Sequence, residues 1–213
     1  MFLFDLDGTT GDTLESIGHT AKLAFEEFGI EPQPIPLFRY FAGDGADVMI
    51  RRALERSGVT DPETADRVTA RYRELFQEGC VYNVTSFPGL PKTLEKLKEQ
   101  GHILVVCSNK DHTKACKVIN AIYGEGFFDL VLGLSEEMPA KPDPTMPLFA
   151  VSKFSVLPED CIYVGDTNTD MKCGKAAGMF TVGVTWGFRE KEELLAAGAD
   201  RIITGPEELL DFT

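Results

Sequence analysis

Two aspartates, Asp5 and Asp7, stand two residues apart at the end of the apolar run Phe2-Leu3-Phe4. If a strand runs from Phe2 to Leu6, alternation points both side chains the same way. Two like charges so placed repel unless a cation lies between them or one carboxyl keeps its proton. Three further groups carry related chemistry: Ser108-Asn109-Lys110, Lys141 within Ala140-Lys141-Pro142-Asp143-Pro144, and Gly165-Asp166-Thr167-Asn168-Thr169-Asp170. Asp5, Asp166 and Asp170 offer hard oxygen ligands, which suit Mg²⁺. Ser108, with backbone N–H groups at the start of a following helix, suits phosphate oxygens. Lys141 can neutralise a phosphate as a point charge. An aspartate can also attack phosphorus and form an aspartyl-phosphate. Hydrolysis of phosphate monoesters is so slow unaided that it calls for on the order of 20 kcal/mol of barrier reduction. A covalent intermediate, a metal and a proton donor together form a credible route.

These groups need elements that bring them together. After Phe2–Leu6, short apolar runs of buried-strand type recur at Ile103–Cys107, Leu130–Leu134, Cys161–Val164, Phe180–Val184 and Arg201–Ile203, with helical patterns between most of them. That alternation predicts an α/β fold, a parallel sheet with helices on both faces. Ligands of such sheets bind at the carboxyl ends of the strands, where the chemical groups fall. Between the first strand and the rest lies an all-helical stretch. Leu14 to Phe28 is closed by Gly29, Pro32, Pro34 and Pro36 break the chain, and further helices run from about Asp47 to Ser57 and from Asp61-Pro62 onward. The expected division is a discontinuous core of residues 1–13 and 85–213 and a helical cap of residues 14–84.

Composition bounds the partners. The 213 residues carry a net charge of −13, which repels nucleic acid and anionic lipid. A local metal ion still lets a small anion bind at one place. No run approaches the ~20 apolar residues of a membrane span, and no basic region precedes an apolar run at the N-terminus. Five cysteines without a CxxC pair read as thiols of a reducing, cytoplasmic setting. The three histidines are scattered, which argues against zinc. Gly43-Asp44-Gly45 follows no strand and lacks a third glycine, which argues against a dinucleotide site.

In order, the four blocks DLDGT, SNK, AKPDP and GDTNTD resemble the four motifs of the haloacid dehalogenase superfamily. The position of the helical insert is similar to the cap of its phosphoglycolate phosphatase-like branch. AGDGADVMIRRAL and WGFRE strengthen that likeness. The resemblance implies a core of Rossmann type and a Mg²⁺-dependent phosphatase for a small phosphorylated metabolite. It casts Asp5 as nucleophile and Asp7 as the acid that protonates the leaving oxygen and then the base that activates water. It implies metal ligation by Asp5, the backbone carbonyl of Asp7, Asp166 and Asp170. Thr9, Ser108, Asn109 and Lys141 are the expected phosphate-side contacts. In the cap, Gly43 and Gly45 precede a helix whose N–H groups suit a carboxylate, with Arg51 and Arg52 one turn on and Asp44 and Asp47 opposing. Gly11 departs from the apolar residue usual there and is expected to loosen the hinge.

Alternatives stay open. The cap loop, residues 41–47, has no cation for a second phosphate, which argues against a phosphomutase. Asp7 and the acidic pair argue against a dehalogenase, and the full set of motifs against a non-catalytic binding protein of the same fold. The resemblance points first to a small phosphorylated carboxylic acid such as 2-phosphoglycolate, with a sugar-phosphate or nucleotide substrate as the alternative; a monomer and a homodimer both fit the sequence.

Overall fold

The computed structural model describes residues 1–212. Its sheet is assembled from β1 (Phe2–Phe4), β2 (Leu104–Asp111), β3 (Leu130–Leu134), β4 (Ile162–Gly165), β5 (Phe180–Val184) and β6 (Arg201–Ile203). All neighbours run parallel, in the order β3-β2-β1-β4-β5-β6. The first strand is thus the centre, and the order reverses beside it, where open α/β sheets bind ligands. Phe2, Leu3 and Phe4 are buried on both faces, which explains a run without polar alternation.

Nine helices occur among the described residues: α1 (Leu14–Glu27), α2 (Phe38–Phe41), α3 (Ala46–Arg56), α4 (Pro62–Gly79), α5 (Leu90–Glu99), α6 (His112–Tyr123), α7 (Thr145–Phe154), α8 (Asn168–Ala176) and α9 (Lys191–Ala196). The Asp61-Pro62 signal is read correctly, since the Asp61 carboxylate accepts the Thr64 N–H at 2.8 Å. Helices α1 to α4 follow one another between β1 and α5. They share a core in which Ala21, Phe25, Ile50, Leu54, Val68 and Tyr72 are fully or almost fully buried. The two chain segments that lead into and out of this bundle pair with each other. Asp12 N–H donates to Thr85 O at 2.8 Å, and Thr85 N–H to Asp12 O at 3.2 Å.

Several expectations need correction. The first strand ends at Phe4, so pleating does not align Asp5 with Asp7. The second strand does not stop before Ser108; it continues through Asn109 and Lys110 to Asp111, with a register irregularity against β3 after Cys107. The proline-rich stretch is not merely a break, because residues 35–37 form a 3₁₀ turn that runs into α2. Proline suits the first turn of a helix, where its missing N–H has no partner to lose. Gly11 supplies no hinge freedom through a left-handed backbone. It is a packing glycine, at which a Cβ would meet Ile122 at 3.1 Å and Thr13 at 3.2 Å.

Candidate active site

Asp5 leaves β1 directly into a charged, dry cluster. One carboxylate oxygen each from Asp5, Asp166 and Asp170 lie within 4.8 Å of one another, and all three residues are buried. Between them runs Lys141, whose Nζ is 2.7 Å from Asp5 Oδ1 and 2.7 Å from Asp170 Oδ1 and donates to Cys107 O at 3.0 Å. The lysine side chain is 2% exposed, so its charge is answered by protein and not by water. Asp170 caps α8 in a reciprocal box: its Oδ2 accepts the Thr167 N–H and hydroxyl at 3.0 and 2.6 Å. Asp166 is held from two sides, by the Thr9 hydroxyl at 2.7 Å and the Phe188 N–H at 2.7 Å.

Glycines admit these close approaches. A Cβ at Gly8 would fall 2.2 Å from Asp166 Oδ2, one at Gly187 2.3 Å from Asp166 Cβ, and one at Gly165 2.3 Å from Asp170 Cβ. Gly8 also has φ +88°, which L side chains rarely adopt.

The electrostatics follow from crowding. Burial raises the Asp5 carboxyl well above its ordinary range; Asp170 raises it further and Lys141 opposes. Burial and Asp170 push Asp166 up to about 7, against the Phe188 and Thr9 hydrogen bonds. Burial acts to lower Lys141, but Asp170 and Asp5 outweigh it and hold the ammonium well above the usual lysine range. Three carboxylates thus share one lysine. Their hard oxygens and surplus negative charge fit a divalent cation such as Mg²⁺.

Asp7 points elsewhere. Its Oδ1 accepts the Thr13 hydroxyl at 2.5 Å and pairs with Lys110 Nζ at 2.9 Å. The two carboxylates that open the chain are therefore kept apart, one facing Lys141 and one facing Lys110. A cavity of about 490 Å³ lies against both. Asp5, Asp7, Ser108 and Lys110 line it from the sheet side, and Tyr72 and Phe76 from α4.

The remaining expected residues divide in two. Ser108, Asn109, Gly43 and Gly45 line this cavity. Ser108 Oγ accepts the Lys110 N–H at 3.1 Å. Asn109 ties three segments together: its amide donates to Gly43 O at 3.0 Å and Lys141 O at 3.2 Å, and it accepts the Lys141 N–H at 2.7 Å. Thr9, by contrast, gives its hydroxyl to Asp166. Asp44 is neutralised by Arg52 at 2.6 Å and accepts the Thr169 hydroxyl at 3.1 Å, and Asp47 is neutralised by Arg73. Arg51 turns to Asp66 at 2.5 Å. Neither Arg51 nor Arg52 reaches the cavity lining.

Two arginines that motif reading passed over join the helical bundle to the sheet. Arg39 donates to Gly187 O at 3.0 Å and Phe188 O at 3.1 Å. Arg189 donates in return to Arg39 O and, at 2.7 Å, to Ala42 O. The sequence signal was present in WGFRE, whose arginine follows the residues that grip Asp166, but nothing in the sequence named its partner.

Residues 2–184 match the haloacid dehalogenase-like hydrolase family. Over 97% of this chain and 95% of its own length, the phosphoglycolate phosphatase of Mannheimia succiniciproducens is 33% identical. That of Haemophilus influenzae is 32% identical over 98% and 96%. A haloacid dehalogenase-like hydrolase from Streptococcus pneumoniae superposes with a TM-score of 0.88 at 27% identity, covering 99% of this chain and 96% of that one. Among the described residues no helix is long and apolar enough to cross a membrane.

Proposed function

Since the chain belongs to the haloacid dehalogenase-like hydrolases and is a phosphatase of phosphomonoesters, we propose that it is a Mg²⁺-dependent enzyme for a small phosphorylated carboxylic acid, 2-phosphoglycolate first. The observation that carries the reading is Asp5. It is a buried carboxylate at the end of the central strand, with Lys141 and two more carboxylates around it and a cavity of about 490 Å³ in front.

Asp5 attacks phosphorus and becomes the aspartyl-phosphate. Asp7 delivers a proton to the departing ester oxygen, then takes one from the water that hydrolyses the acyl phosphate. It stands apart from the Asp5 cluster, with its Oδ1 held by Thr13 and Lys110. Ser108 and Lys141 steady the phosphoryl oxygens, and Asn109 keeps the Lys141 segment and the Gly43 loop in place. Asp5, Asp166 and the carbonyl of Asp7 would hold the ion together with Asp170, which also serves Lys141 as a counter-charge. When bound, Mg²⁺ supplies positive charge against which carboxylates and phosphoryl oxygens approach one another.

In this reading residues 14–84 are a lid over a core of residues 1–13 and 85–213, hinged at the Asp12–Thr85 pairing, and they shut water out during turnover. The reduced cysteines fit a cytoplasmic setting. A phosphomutase would need a free cation near the cap loop; Arg52, Arg73 and Arg189, which touch that loop, are engaged by Asp44, by Asp47 and by main-chain carbonyls.

The test is a comparison of kcat/KM for 2-phosphoglycolate, ethyl phosphate, sugar phosphates and nucleotides, with Mg²⁺ and after chelation. Activity is expected only with the ion, and 2-phosphoglycolate is expected to lead. A lead of about tenfold for nucleotides or sugar phosphates, worth about 1.4 kcal/mol in the transition state, rejects the substrate. Full activity in EDTA rejects the metal. Asp5→Asn should form no phosphoenzyme, and Asp7→Asn should slow both its formation and its breakdown.

A further inference from the structure

Apart from Asp5, Lys110 is the one charged residue lining the cavity that is almost wholly removed from water. Its side chain is 5% exposed. The ammonium lies 2.9 Å from Asp7 Oδ1 and 4.9 Å from the centre of the Phe76 ring, on the opposite, helical wall. Other cations along the cavity sit nearer the rim and are matched there: Lys114 with Asp111, and Arg73, 57% exposed, with Asp47. A lysine held in the dry interior between an aspartate and an aromatic face is poised to recognise an anion, because charge interactions strengthen as water is excluded.

Its place gives the anion a position. Asp7 is the proton donor to the ester oxygen in the function proposed above, so that oxygen comes to rest beside Asp7. A group that close to Asp7 is also close to Lys110. We propose that Lys110 is a specificity-determining residue, whose ammonium receives an anionic group one or two atoms from the ester oxygen. That is the carboxylate of a phosphorylated 2-hydroxy acid. The inference rests on the phosphatase reading and extends it from a substrate to the residue that selects it.

Three features support the assignment. An ammonium has three N–H donors, and among the described residues Asp7 is the one carboxylate paired with this one. Phe76 fixes the height of the ammonium over the cavity without using a donor. Lys110 also sits on β2, next to Ser108 and Asn109, so its backbone is held by the sheet.

The experiment measures kcat/KM for 2-phosphoglycolate and for ethyl phosphate, its counterpart without the carboxylate, in the wild-type enzyme, Lys110→Met and Lys110→Gln. Some loss on both substrates is expected, since Asp7 loses its partner. The loss on 2-phosphoglycolate should exceed that on ethyl phosphate by about tenfold or more, the size of one charge-assisted hydrogen bond. Double-mutant logic assigns that excess to the lysine–carboxylate contact. Equal losses on both substrates, complete loss included, overturn the assignment and leave Lys110 as a partner of Asp7 alone. A wild-type enzyme that shows no preference for 2-phosphoglycolate over ethyl phosphate overturns the substrate reading itself.

Discussion

Held in EDTA, the protein should lose stability as the pH rises from acid to neutral, and Mg²⁺ should abolish much of that loss. Asp166 is buried beside Asp170 and pushed up to about 7 from an ordinary 3.8. Between those two values the folded chain keeps a proton that the unfolded chain has released. Folding is therefore favoured most below the lower value, and the advantage drains away as pH climbs to the higher one. About three pH units at about 1.4 kcal/mol each give on the order of 4 kcal/mol. Asp5, raised by burial and then by Asp170, acts in the same direction. A typical domain is stable by only about 5–15 kcal/mol, so this effect is large enough to measure. The assay is urea unfolding followed by circular dichroism at several pH values, in EDTA and in Mg²⁺. The control is Asp166→Asn, which stops the titration while its contacts survive. The amide oxygen can keep the Phe188 N–H, and the Thr9 hydroxyl can turn from donor to acceptor. That variant should show a much flatter profile in EDTA. Identical slopes for wild type and Asp166→Asn, or a wild-type slope untouched by Mg²⁺, would refute the reasoning.

Lys141→Met leaves Asp5 and Asp170 without the charge between them; urea unfolding in EDTA at neutral pH should register a loss of about 3–5 kcal/mol, and a loss below about 1 kcal/mol would mean the pair carries little of the balance. Gly187→Ala sets a Cβ 2.3 Å from Asp166 Cβ and 2.4 Å from Gly8 O, so Mg²⁺ affinity by calorimetry should fall roughly 10–100-fold, as for a lost support of a metal ligand; unchanged affinity counts against Asp166 as a ligand. Arg39→Ala removes two hydrogen bonds between α2 and residues 187–188. Amide exchange across residues 38–47 should accelerate, and turnover of 2-phosphoglycolate should suffer more than that of p-nitrophenyl phosphate, which needs no closed lid. Equal exchange in both proteins would show that the arginine holds nothing shut.

What the sequence disclosed and what it hid follow from how far apart the partners lie. The Asp5, Ser108, Lys141 and Asp166 blocks are local words at strand ends, and chain order plus the parallel-sheet rule suffices to bring them together. Helices α1, α3 and α4 carry their own apolar periodicity, and α4 its own Asp61 cap. The pairing of Lys110 with Asp7 was not legible, because Lys110 read as the residue after a strand, whereas β2 runs on through it to Asp111. Register decides such a matter, and a strand that bulges against its neighbour gives no sign of it in composition. The Arg39–Arg189 exchange spans 150 positions and uses main-chain carbonyls, which every residue possesses. No side-chain pattern could announce it. The neutralisation of Asp44 and Asp47 was hidden for a similar reason, since Arg52 and Arg73 approach from two different helices.

The peptide of Gly187 and Phe188 is gripped from both sides. Its carbonyls hold the Arg39 guanidinium, and the Phe188 N–H holds Asp166. A hydrogen-bonded peptide unit polarises as a whole, so each grip strengthens the other. Helix α2 and the Asp166 carboxylate thus sit at two ends of one short lever, with Gly187 too crowded to let it slip. Thermodynamic reciprocity then applies: whatever tightens the carboxylate end biases the lid toward closure by the same free energy with which closure tightens the carboxylate. In the proposed function, departure of product and departure of the ion would then be linked events, the ion being held longest while residues 14–84 are closed over the core.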